Sequence, residues 1–288
     1  RIIKEMSVIH SDSPHLNKAV DIKVRTKLVD RQALFFDISS KVFNDGHFFT
    51  DANGMYMMQR TFNEQKNFDA NVFPAASSTF IQDKLHRISV HLGQPNGVIG
   101  SKDGLLQILI DRVVSTDDGK GLPFGEDHDM HLPDIRMRFF PESRGLSSQT
   151  VSSSHSIQSQ QALDSLRNPL SLFIVRQSNG DYVRSDMKTI LSLFRRWPCQ
   201  LEIVTLRYIS DKMVLMIVRR ITFDESIDQS IDNCSTNLDD AWRSISAIGN
   251  TVTHANLVGS ELFEKATVES FAKSLETPFS LSPLLISI

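Results

Sequence analysis

Short apolar runs separated by Asn, Gly and Pro turn signals fill most of this chain. That spacing leaves little room for a parallel sheet, which needs a helix between successive strands. The clearest case is Asn53-Gly54, which sits between Phe48-Phe49 and Met55-Tyr56-Met57-Met58. Asn and Gly take left-handed backbone conformations at low cost, so this pair between apolar runs predicts a β-hairpin. Asn44-Asp45-Gly46 is a second turn signal of the same kind. Residues 20–25 (Val-Asp-Ile-Lys-Val-Arg) alternate apolar and polar, the period of a half-buried strand. Residues 33–38, 79–82, 87–92 and 105–114 are further predicted strands. Gly93-Gln94-Pro95-Asn96-Gly97 breaks the series, and residues 135–140 alternate until Pro141 stops them. Beyond, residues 170–175, 201–208 and 213–218 predict strands, with Trp197-Pro198 as an interruption because Pro cannot donate to a ladder. Helical spacing occurs once, within residues 257–275, at Leu262, Phe263, Ala266, Val268, Phe271 and Leu275. The fold class expected is therefore mainly β, a β-sandwich with a smaller C-terminal β-rich domain and a helix near the end.

Residues 143–161 are rich in Ser and Gln and too poor in apolar groups to offset their ordering entropy, so they read as an exposed loop. The expected organisation is a central sandwich over 1–142, a Ser/Gln-rich loop over 143–166 and a second β-rich subdomain over 167–288. The 288 residues suffice for that, and 40% apolar with 23% charged content is globular rather than disordered. A net charge of -3 gives no reason to expect nucleic acid as a partner. No apolar run is long enough to span a bilayer. Arg1-Ile2-Ile3-Lys4-Glu5 is neither an initiator nor a signal peptide, so any targeting signal is expected upstream. Cys199 and Cys234 are either two thiols or one disulfide. Asn233-Cys234-Ser235 makes Asn233 a glycosylation candidate if the chain is lumenal.

The usual chemical signatures are missing: there is no phosphate-binding Gly-X-X-X-X-Gly-Lys-Ser/Thr, no His-Glu-X-X-His, no Cys-X-X-Cys and no Gly-X-Ser-X-Gly. Asp127, His128, Asp129 and His131 alternate carboxylate and imidazole, a donor set for a divalent cation. A solvated loop is the simpler reading. Asp117 and Asp118 sit beside Gly119-Lys120-Gly121. Paired carboxylates do acid/base work when buried and close, yet neighbours in sequence point apart, so an ordinary turn is the simpler reading here too. Trp197 and Trp242 offer faces for sugar stacking or for a core. Arg195-Arg196 and Arg219-Arg220 read as solvated basic pairs.

Phe48-Phe49-Thr50-Asp51-Ala52-Asn53-Gly54, then Met58-Gln59-Arg60, resembles the Phe/Tyr-Tyr-Thr-Asp-X-Asn-Gly block of glycoside hydrolase family 38, the class II α-mannosidases. Asn71-Val72-Phe73-Pro74, Phe80-Ile81-Gln82-Asp83 with Leu85-His86-Arg87, Asp111-Arg112, and Asp117-Asp118-Gly119-Lys120-Gly121-Leu122 are similar to later blocks of that family, in order. Trp197-Pro198-Cys199-Gln200-Leu201-Glu202 resembles its Leu-Pro-Cys-Asp strand. The resemblance implies a Golgi-type α-mannosidase C-terminal region with a sandwich of the galactose mutarotase-like super-sandwich kind. It also implies that the catalytic N-terminal domain, with its zinc and nucleophilic Asp, is not in this chain. His10-Ser11-Asp12 spells His-X-Asp without the matching context and is rejected as that zinc site. The chain is thus expected to carry no catalytic residue, to bind no metal and to be inactive alone. Its partners would be that domain and an N-glycan, in the Golgi lumen or, as the alternative, the lysosome. A non-catalytic carbohydrate-binding or interaction sandwich is the competing expectation. The family's Asp-Asp-X-Arg-Gly-Leu loop approaches the substrate cleft, which makes Lys120, Asp117 and Asp118 the expected cleft residues. Lys120 stands where the family has Arg, keeping the charge and losing the planar fork. Asp51 and Asn53 are expected to fix a hairpin rather than touch sugar. The final segment, 237–288, departs from the family's strand-rich end.

Overall fold

The fold is given by a computed structural model that describes residues 3–10, 18–28, 32–51, 53–113, 134–145, 152–169, 197–224, 226–227 and 237–288. The chain divides into two compact units: Arg1–Leu170 with Asp224–Gln229, and Ser171–Phe223 with Ser230–Ile288.

The first unit is an antiparallel sandwich. One sheet has seven strands in the order β1 (Ile3–His10), β2 (Val20–Thr26), β11 (Asp134–Ser143), β8 (His86–Leu92), β7 (Ser78–Gln82), β4 (His47–Asp51) and β5 (Met57–Thr61). The other has four, β3 (Ala33–Ser39), β10 (Leu105–Arg112), β9 (Asn96–Lys102) and β6 (Phe73–Ala75). Alternation along the strands decides what is inside. Val24, Phe48, Ile81, Val90, Leu92 and Met137 meet Ile38, Val98, Leu106 and Ile108 in one core. The Asn53-Gly54 hairpin joins β4 to β5 as expected, with Gly54 at φ 73.

Three sequence expectations change in this unit. First, β11 runs through Pro141 to Ser143. It pairs with β2 only from Asp134 to Phe139, so Pro141 has a neighbour on one side alone and its missing donor leaves no gap in a ladder. Second, β9 begins inside the expected break. A Cβ on Gly97 would lie 2.5 Å from Val72 Cγ1, and one on Gly100 2.6 Å from Phe48 Cδ1, so these glycines permit close packing within a strand. Third, the Ser/Gln-rich stretch holds a helix, α1 (Ile157–Arg167), capped by Ser156, whose Oγ accepts from the Ser159 amide at 2.9 Å. Residues 152–156 and α1 cover the outer face of the large sheet, with Ser159, Ala162 and Leu163 buried.

The second unit is a five-stranded antiparallel sheet ordered β12 (Leu201–Ser210), β13 (Met213–Arg220), β16 (Leu281–Ser287), β14 (Thr251–Ala255) and β15 (Leu262–Lys265). Two helices, α2 (Leu238–Ser246) and α3 (Val268–Ser274), close its core of Met216, Val218, Ile245, Phe271, Leu284 and Ile286. The helix expected over 257–275 is thus only α3, opened by a Thr267/Ser270 capping box. Upstream of it, Asn256 Oδ1 accepts from the amides of Val258, Gly259 and Ser260, which binds that backbone into a turn instead of a helix. Expected strands at 201–208 and 213–218 form β12 and β13, whereas the strand expected at 170–175 lies outside the described residues.

Candidate functional site

The Phe48–Gly54 block is built for anchoring. At the end of β4, buried Asp51 takes the Ser77 and Ser78 amides on Oδ1 at 2.9 and 2.7 Å and the Ser77 hydroxyl on Oδ2 at 2.8 Å. Asn53 Oδ1 accepts from the Met55 amide at 3.0 Å and shapes the hairpin turn. Asn53 thus fixes the hairpin as expected, whereas Asp51 holds the backbone that leads into β7 rather than the hairpin itself. Asp111, at the end of β10, accepts the Thr26 hydroxyl of β2 and so ties the two sheets together.

On the outer face of the large sheet, β7, β8, β4 and β11 present Phe80, Gln82, Arg87, Ser89, His91, Phe49, Phe140 and Glu142, all buried. Arg87 is the centre of this face. Its Nη2 donates to Asp224 Oδ2 at 2.5 Å and its Nε to Gln82 Oε1 at 2.9 Å. Its Nη1 donates to the Ser154 carbonyl at 2.7 Å, and its guanidinium lies 4.3 Å from the Phe80 ring centroid. Burial pushes the Arg87 pKa down to about 10, against the opposing pull of Asp224. Arg144 reaches Asp224 Oδ2 at 3.7 Å and donates to the Asp83 carbonyl at 2.8 Å. Beside this pair, Ser156 Oγ donates to Glu142 Oε1, and burial raises the Glu142 pKa. Ser159 Oγ lies 3.2 Å from both His91 Nε2 and His155 Nδ1, and Ser78 Oγ lies 3.0 Å from His91 Nδ1. Burial holds His91 well below the usual imidazole range and His155 at about 3. These imidazoles are neutral struts, and Asp224 is locked between two guanidinium groups.

Two open clefts flank the Asp83–His86 turn that links β7 to β8. One, about 540 Å³, is lined by Lys18, Lys41, Val42, Arg87, Pro141 and Glu142 among others. The second, about 670 Å³, is lined by Lys41, Phe43, His47, Gln59, Asp83 and Lys84 among others. Lys41 and His86 border both. These residues come from the segments before β2 and after β3, from β4, β5, β8 and β11 and from the β7–β8 turn, and no local sequence pattern brings them together.

Several expected site residues, Lys120, Asp117, Asp118, Asp127 to His131, Arg195-Arg196 and Asn233, lie outside the described residues. Trp197 is half-buried and donates its Nε1–H to the Leu201 carbonyl at 2.8 Å, and Trp242 packs on Phe271 with centroids 5.7 Å apart, so both serve the core. Arg219 and Arg220 are not a solvated pair. Arg219 is buried and meets Glu202, and Arg220 donates to the Leu275 and Glu276 carbonyls. Cys199 is disulfide-bonded, and the chain has one other cysteine, Cys234. Among the described residues no three His, Cys, Asp or Glu side chains gather closely enough to hold a metal ion.

Fold and geometry define the class: an antiparallel β-sandwich that carries a buried polar cluster on one sheet and polar-rimmed clefts, and a smaller β-rich unit. Residues 3–120 match the family described as glycosyl hydrolases family 38 C-terminal domain. Alpha-mannosidase 2 of Rattus norvegicus is 26% identical over 295 residues, covering 97% of this chain and 25% of its own length. Alpha-mannosidase 2 of Homo sapiens is 31% identical over 117 residues, covering 41% of this chain and 10% of its own. A solved family 38 glycosyl hydrolase from Enterococcus faecalis shares the fold at a TM-score of 0.53 and 9% identity, over 94% of this chain and 28% of that one. Residues 3–120 thus carry the C-terminal domain of glycosyl hydrolase family 38, and the family match ends there. It spans about a quarter of the length of the rat relative. At 97% of the chain, similarity to that relative reaches into residues 237–288.

Proposed function

We propose that this chain is the C-terminal accessory part of an α-mannosidase that hydrolyses α-mannosidic bonds of N-glycans, and that it turns over no substrate alone. The observation that carries this reading is an exposed apolar surface on the second unit. Leu257, Val258, Leu262 and Phe263 stand largely in solvent within seven residues of chain. The turn beneath them approaches Ile209, itself exposed, with a Cβ on Gly259 falling 3.6 Å from Ile209 Cδ1. Large apolar side chains exposed this close together in the chain suit a protein contact, and the catalytic domain implied by the family is the partner that fits. Zinc belongs to that partner in this reading. The Cys199 disulfide supports an oxidising compartment, with the Golgi lumen first and the lysosome second. Lys120, with Asp117 and Asp118, remains the proposed contribution to the substrate cleft.

Co-expression with the catalytic half of an alpha-mannosidase 2 tests this. The expected result is co-purification and hydrolysis of an aryl mannoside that neither half gives alone. Turnover by the purified chain alone, or failure of the two halves to associate, overturns it.

A further inference from the structure

We propose that the two clefts beside the Asp83–His86 turn form one binding surface for a neutral oligosaccharide, with Lys41 on the ridge between them. The proposal rests on the N-glycan reading for its ligand class and on the following geometry for its place.

The walls are fixed before any ligand arrives. Asn44 Nδ2 donates to the His47 carbonyl at 2.7 Å and its Oδ1 accepts from the Gly104 amide at 2.7 Å. Asp83 Oδ1 accepts the Leu85 and His86 amides at 2.7 Å each, and its Oδ2 takes the Phe43 amide at 3.4 Å. A preformed cleft avoids the ordering cost that a mobile loop adds to binding. Both volumes lie in the range of small-molecule sites.

The rim holds polar groups with nothing else to do. The side chains of Lys41, Lys84 and Gln59 line the larger cleft and make no hydrogen bond or ion pair among the described residues. In the smaller cleft Glu142 is buried, and its Oε2 has no hydrogen-bond partner. Val42, Ile88 and Pro141 give that cleft an apolar wall, and Phe43, 68% exposed, borders the other. Alternating apolar C–H faces and hydroxyls are what a pyranose presents to such a surface. Charge decides between neutral and acidic sugars. The fixed guanidinium groups, Arg87 and Arg144, are held by Asp224 and by carbonyls, and Asp45 and Asp83 stand with the free lysines. No preformed fork remains for a phosphate or carboxylate.

The test is titration of the isotope-labelled chain with a branched oligomannose, followed by amide shifts and calorimetry. Shifts confined to residues around 41–47, 59 and 82–88 are expected. Phe43→Ala and Lys41→Ala, both at exposed positions, should each weaken binding by at least about fivefold without changing the thermal midpoint, and Gln59→Ala should act likewise. No binding, binding unchanged in all three variants, or binding only to a sialylated or phosphorylated saccharide overturns the proposal. The mannosidase reading fails separately: oligomannose binding by a chain that gives no hydrolysis even when co-expressed with the catalytic half sinks that reading and leaves the surface standing.

Discussion

Arg87 ties β8 to β7, to the segment before α1 and to Asp224. It is wholly buried, and its charge meets Asp224, 137 residues away in sequence. Burying a guanidinium is unfavourable unless a countercharge and further acceptors surround it, and here Gln82 and two carbonyls complete the set. Breaking such a pair from one side costs more than deleting both sides, because one charge stays behind. Asp224→Asn should therefore destabilise the first unit by about 3–5 kcal/mol. Arg87→Met combined with Asp224→Leu should recover most of that loss. Urea unfolding of the three proteins measures both effects, and a loss under about 1 kcal/mol for Asp224→Asn would show that the neutral acceptors suffice on their own. None of this was legible in the sequence. Arg87 sits in a recognisable block, but its partner lies in a segment with no motif, and pairing over such a separation has no local signal.

At the scale of elements, α1 is pinned to the sheet by imidazoles. His155 leads into the helix, His91 comes from β8, and Ser159 of α1 stands between them. Both histidines are kept neutral by burial, with Arg87 further lowering His155, and Arg138 and His155 further lowering His91. The unfolded chain has ordinary imidazoles near 6.5, so below that pH it binds protons the folded unit refuses. Stability is thus complete above about 6.5 and falls as pH drops toward about 3, where folded His155 finally titrates. Glu142 works the other way. Its raised pKa favours the folded state as pH falls through that raised value, which offsets part of the loss. His155→Gln should flatten the decline in urea midpoint between pH 6.5 and pH 4, and an unchanged slope would remove His155 as its source. The same helix shows where sequence reading stops. Strands punctuated by Asn-Gly turns were legible because their signal is local. A helix whose buried face includes Ser159 and whose Ala162 carbonyl takes a hydrogen bond from Arg138 lacks an apolar stripe, so composition alone made it a loop. β9 was hidden for the opposite reason: Gly97 and Gly100 look like breaks but are the contacts that let neighbouring strands and Phe48 come close.

At the scale of the whole molecule, the chain leaves the first unit after Leu170, returns for Asp224–Gln229 and leaves again. Each unit has its own core, so each should have its own unfolding transition. The two are separable by spectroscopy, because Trp197 and Trp242, the chain's two tryptophans, both belong to the second unit. Cys199 belongs to the second unit too, and it is disulfide-bonded. A disulfide stabilises chiefly by restricting the unfolded chain, and losing one costs about 2–4 kcal/mol. For a unit near 100 residues each kcal/mol moves the midpoint by about 4–8 °C. Reductant, or Cys199→Ser, should therefore lower the tryptophan-detected midpoint by roughly 10 °C or more. The histidine-dependent acid transition of the first unit, followed by circular dichroism under the same conditions, should stay where it was. A tryptophan midpoint indifferent to reductant would mean that the disulfide does not constrain the second unit. Loss of both transitions together would mean that the segment returning at Asp224 makes the two units unfold as one.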